Sequence, residues 1–103
     1  METVSKEKLP KFQRLGMTLV VNFNEQEITV TDGDGVSSME YHYNTAKVCA
    51  TSHRDERIEE LIKTKYPTYG AELAAMHKGG VIADQYLAFV DYCKLIATES
   101  FKL

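Results

Sequence analysis

Through its first half the chain alternates apolar and polar residues with a period of two, and through its second half apolar residues recur at helical spacing. Residues 17–23 and 26–31 are rich in β-branched and apolar side chains, and both predict strands. Asn24-Glu25 between them is short enough for a tight hairpin connection. In the second segment Ile28 and Val30 face one way, and Glu27, Thr29 and Thr31 the other. Asp32-Gly33-Asp34-Gly35 then supplies two Asp-Gly turn signals. A third strand is expected over residues 36–43, with Met39, Tyr41 and Tyr43 on one face and Ser38, Glu40 and His42 on the other. The expectation is a three-stranded antiparallel β-meander, with a possible extension over residues 47–50. A single sheet with one apolar face needs a cover.

The second half predicts that cover: a helical hairpin within a set of three helices packed on one sheet face. Ser52 and Asp55 stand at capping-box spacing before a helix whose apolar stripe is Ile58, Leu61 and Ile62. Glu59 precedes Lys63 in the favourable i,i+4 order. Tyr66-Pro67 ends this helix, because the residue before proline is pushed out of the α region. Thr68 caps a second, short helix through Lys78, closed by Gly79-Gly80. A third helix over residues 82–100 puts Ile82, Tyr86, Phe89, Val90, Cys93, Ile96 and Ala97 on one broad face. Leu87 and Leu95 fall off that face, and Tyr92 sits at its edge.

The 103 residues fit one α+β domain of ordinary globular composition, 44% hydrophobic and 26% charged. Its parts are a basic N-terminal arm (1–14), the meander (15–50) and the helical half (52–103). The net charge of −3 hides an asymmetry: the arm is +2, residues 15–50 are −4 and the remainder is −1. No clustered cations mark a nucleic-acid interface beyond Lys6, Lys8, Lys11 and Arg14, which sit beside two acids and read as a solvated segment. That segment could equally fold onto the acidic sheet of its own or a neighbouring subunit. The longest aliphatic run, Leu19-Val20-Val21, is too short to span a bilayer. With no apolar leader and only Cys49 and Cys93, a cytoplasmic location with reduced thiols is expected, in a host cell or a virion.

Candidate chemistry is sparse. Read as a calcium loop, Asp32 to Tyr43 has Val, Ser and Tyr at loop positions 5, 6 and 12, so an inter-strand turn is the better reading. Cys49, His53, His77 and Cys93 have the right atoms for zinc but lack paired spacing, and Cys93 falls on the apolar helix face. Cys49 with His53 is the one visible nucleophile–base pair, without an orienting group or oxyanion donor. No metal and no cofactor is expected, and the chain is read as a non-enzyme.

Binding is better marked. Six tyrosines are many for this length, and tyrosine suits interfaces because it buries area while keeping a polar tip. Tyr92, Leu87 and Leu95 are the expected contact residues on the third helix. Glu25, Glu27 and Glu40 are those on the acidic sheet, which could meet a basic partner.

Residues 57–66, then Ala71-Glu72-Leu73-Ala74-Ala75-Met76, then Tyr86-Leu87-Ala88-Phe89-Val90-Asp91-Tyr92-Cys93-Lys94 outline a helix ending in "I…KY", an "ELA" helix and a "YxxFVxxCK" helix. Over roughly residues 55–100 this resembles small phage and prophage proteins of gut bacteria encoded near tail genes. The resemblance implies a virion-associated or assembly role and brings no catalytic residue with it. The expected function is therefore a phage or prophage interaction protein acting as a homo-oligomer. A phage-encoded inhibitor of a host enzyme or defence protein is one alternative. A small ligand-binding domain or enzyme using Cys49 and His53 is the other.

Overall fold

A computed structural model describes residues 2–102 and shows an α+β protein with one antiparallel sheet and three helices. The chain divides into two compact units, Met1–Ala50 and Thr51–Leu103. The division falls where the two-residue period gives way to the helical one.

The sheet has four strands rather than three. They are β1 (Glu2–Ser5), β2 (Phe12–Leu15), β3 (Thr18–Thr31) and β4 (Ser37–Cys49), in spatial order β1-β4-β3-β2. Two corrections to the expected meander follow. The N-terminal arm is not a free segment, since it contributes both edge strands. The expected strands 17–23 and 26–31 are one continuous 14-residue strand, and Asn24-Glu25 is a bulge within it rather than a hairpin turn.

The bulge has a clear physical cause. Upstream, Leu19, Val21 and Phe23 occupy odd positions and are buried; downstream, the apolar residues Ile28 and Val30 occupy even ones. A regular strand would send the two sets to opposite faces. Phe23 pairs with Asn44 and Gln26 with His42, so two residues of β3 face the single Tyr43 of β4. That extra residue resets the alternation, and Leu19, Val21, Phe23, Ile28 and Val30 share one face with Ala46 and Val48. Asn24 takes the left-handed conformation the bulge needs, at φ 56°. Asparagine tolerates that region better than residues other than glycine.

The opposite face is polar. Asn22 and Thr45 are buried there, and Thr45 Oγ1 lies 2.9 Å from Asn22 Oδ1 and 2.7 Å from Thr3 Oγ1. The strand order explains this polarity. β1 lies beyond β4 and β2 beyond β3, so residues 6–11 must cross a face of the sheet to join them. They cross on the polar face. Tyr43 Oη accepts from the Leu9 amide at 2.9 Å, and Asn22 Nδ2 donates to the Pro10 carbonyl at 3.0 Å. The Asn22 amide donates to the Lys11 carbonyl at 2.7 Å.

In the helical unit, α1 spans Arg54–Lys63, α2 Tyr69–Lys78 and α3 Gly80–Glu99, followed by a short 3-10 turn, Ser100–Lys102. Thr68 caps α2 as expected, accepting from the Ala71 amide at 3.1 Å. Gly79 at φ 63° separates α2 from α3. The first cap differs: it falls on His53, whose side chain makes no capping bond, while Ser52 Oγ accepts from Arg57 Nε. Lys63 pairs with Glu60 at 3.2 Å, one residue from the expected partner Glu59. The core of this unit is Ile58, Leu61, Ile62, Ala75, Tyr86, Phe89, Cys93, Ile96 and Ala97. Arg57 is buried with them, and its Nη1 donates to Ser100 Oγ at 2.8 Å while its guanidinium stacks on Phe101.

If the bulge requires the left-handed residue, Asn24→Gly is near-neutral, whereas Asn24→Val costs about 1–2 kcal/mol because a β-branched side chain is strained there. Urea unfolding midpoints check this. Equal midpoints for the two variants would contradict it.

Candidate functional site

β2 pairs only with residues 18–21 of β3, and β1 only with residues 41–44 of β4. Beyond them both, the two long strands continue as a bare ribbon, from the pair Ile28–Glu40 to the pair Thr31–Ser37. The loop at its tip is built by Asp32, whose Oδ1 accepts from the Asp34 and Val36 amides at 2.9 and 3.0 Å. Gly35 turns there at φ 80°. The aspartates therefore make an inter-strand turn. Among the described residues no group of three or more His, Cys, Asp or Glu side chains is placed to hold a metal ion.

The ribbon gathers the acids marked by the sequence. Glu25 and Glu27 lie on the polar face, with Lys8 Nζ from the crossing segment 3.8 and 3.9 Å from their carboxylates. The basic segment thus folds onto the acidic sheet of its own chain. Lys8 also stands over the Tyr41 ring, 5.9 Å from its centroid. Glu40 lies on the other face, 3.5 Å from His42 Nε2, while His42 Nδ1 is 3.2 Å from Glu2 of β1. Tyr43 Oη donates to Glu25 at 2.7 Å; burial first, then this carboxylate, push the phenol above its usual range.

On α3 the structure places Leu87 and Leu95 outward, 53% and 65% exposed, with Tyr92 half-buried at the margin. Val81, 71% exposed, completes a row with Ala88 and Leu95 at seven-residue spacing. The sequence reading missed Val81 because the helix begins two residues earlier than expected. It also missed Asn22, Thr45 and Arg57, whose polar side chains give no cue to burial until their partners are known.

Cys49 is an exposed residue at the end of β4 in the sheet unit, and His53 is an exposed residue in the helical unit. Cys93 is a free thiol, fully buried, and burial pushes it up to about 12. Tyr86 is also pushed up to about 12, by burial and by Glu72, whose carboxylate accepts a hydrogen bond from its hydroxyl at 2.8 Å. Tyr66 packs edge-on against Tyr86 at 5.0 Å and beside Phe89 at 5.8 Å. A hollow of about 220 Å³ opens beside Tyr66, lined also by Glu59, Ile62, Pro67, Tyr69 and Glu72.

Among the described residues no helix is long and apolar enough to cross a membrane. Comparison with protein-family models, curated proteins and solved structures finds no match to this chain.

The Cys93 and Tyr86 shifts share a sign. Both keep the proton on the folded form, so their contribution is complete at neutral pH. It is lost as pH rises from the ordinary values of 9 and 10 towards about 12. Thermal melts across that range are expected to show falling stability. Tyr86→Phe lowers stability by about 1 kcal/mol at pH 7 and makes the alkaline fall shallower. A flat profile between pH 9 and 12 would contradict the assignment.

Proposed function

We propose that the chain is a non-enzymatic interaction protein of a phage or prophage, tail-associated or an assembly factor, acting as a homo-oligomer. The observation that carries the reading is the outward face of α3, where Val81, Leu87 and Leu95 stand exposed on a regular 20-residue helix. These side chains share the outward face with Asp84 and Asp91, so they form an apolar patch edged by carboxylates. Two such patches exclude water when they meet, which gives association its driving force. The resemblance of residues 55–100 to small phage and prophage proteins supports the setting.

A second reading, an inhibitor of a host enzyme or defence protein, is favoured by a different observation. Five acids lie between residues 25 and 40, and no lysine or arginine occurs between Arg14 and Lys47. A ribbon of this charge is suited to steer onto a basic surface.

Sedimentation equilibrium over a wide concentration range separates the readings. The first predicts a discrete oligomer that Leu87→Asp with Leu95→Asp converts to monomer, with the helical circular dichroism unchanged. A wild-type protein that stays monomeric at the highest concentrations would overturn self-association.

A further inference from the structure

We propose that the outer edge of β3 from Glu27 to Thr31 is a docking edge for an extended segment of a partner protein that carries cations on one side and β-branched residues on the other. The inference rests on the second reading of the ribbon, as a surface for a basic partner, and adds how that partner is held. It starts from the backbone. The Asp32 amide donates to the Val36 carbonyl across the ribbon at 3.0 Å. By the strict alternation of an antiparallel pair, the amides and carbonyls of Gln26, Ile28 and Val30 then point at β4. Those of Glu27, Thr29 and Thr31 point the opposite way, off the sheet.

No strand takes them up. β2 ends its pairing at Val21, and the chain before Phe12 leaves the edge at Pro10 to cross the polar face. Proline has no amide hydrogen and cannot continue a ladder. All residues from Glu25 to Met39 are exposed. Three residues in a row at alternate positions therefore present unpaired donors and acceptors, the arrangement that accepts an added strand.

The side chains define the occupant. An added strand would put alternate residues beside Glu27 and Thr29 on the polar face, where Lys8 stands 3.9 Å from Glu27. Its other residues would lie beside Ile28 and Val30, each 38% exposed, on the apolar face. Cross-strand pairs of opposite charge and of β-branched residues stabilise a sheet, and like charges disfavour it. A second copy of this edge would bring its own glutamates, with its Lys8 already held between Glu25 and Glu27, so the occupant is a different, basic chain.

The test uses the intact, isotopically labelled protein and a short, end-blocked peptide of alternating lysine and valine. The expected result is amide shift changes centred on Glu27, Thr29 and Thr31, not reproduced by the glutamate–valine counterpart. Thr29→Pro removes an outward amide without touching a β3–β4 hydrogen bond. It should weaken binding about tenfold or more, the loss of a good hydrogen-bonded contact, while Thr29→Ala binds like wild type. Peptide binding that survives Thr29→Pro with an unchanged circular dichroism spectrum would overturn strand addition and leave only the acidic surface. No binding of either peptide, or shifts that appear with protein concentration alone, would overturn the basic partner as well.

Discussion

The sheet depends on one crossing. Because β1 and β2 sit on opposite edges, residues 6–11 must pass over β4 and β3, and a peptide chain laid on a sheet brings polar groups that need partners. Tyr43 and Asn22 supply those partners through Leu9 and Pro10, which explains why the sheet face beneath carries buried Asn22 and Thr45 rather than aliphatic side chains. An unmet hydrogen bond at such a site costs on the order of 1–3 kcal/mol, so the crossing and the polar face specify each other. The same crossing delivers Lys8 to Glu25 and Glu27 and takes the chain off the edge of β3 at Pro10. The local charge balance and the bare ribbon are thus consequences of one topological requirement.

The two units offer different surfaces. In the sheet unit the unsatisfied groups are backbone amides and carbonyls flanked by carboxylates, a directional and electrostatic surface. In the helical unit they are aliphatic side chains on α3, a surface with no directional demand. Directional hydrogen bonds select a partner's conformation and register, whereas apolar seams mainly add affinity.

Much of this was legible in the chain. Helical periodicity placed α3, its outward leucines and the central part of its buried face, and Thr68 and Gly79 marked the ends of α2. Ile82 at the helix start, however, is 43% exposed, and Val90 is half-buried rather than buried. The place of the bulge was legible but not its form, since the sequence predicts a hairpin turn at Asn24-Glu25. Apolar positions switch from odd at Leu19, Val21 and Phe23 to even at Ile28 and Val30, and a hairpin or one extra residue explains that switch equally well locally. What separates them is the long-range register with β4, which no local pattern contains. The edge strands were hidden for a similar reason. Four residues such as Glu2–Ser5 carry too little periodicity, and their strand character comes from Tyr43 and its neighbours about forty positions away. Arg57 was illegible because its burial rests on Ser52, Ser100 and Phe101, which only the folded chain brings together.

The central claim is that the crossing segment and the Asn24 bulge together fix which backbone groups of β3 remain open. Residue-resolved amide hydrogen exchange on the native protein tests it most directly. The account predicts a protected Leu9 amide, slow exchange at Gln26, Ile28 and Val30, and fast exchange at Glu27, Thr29 and Thr31. Uniform rates from Gln26 to Thr31, or an unprotected Leu9, would contradict it.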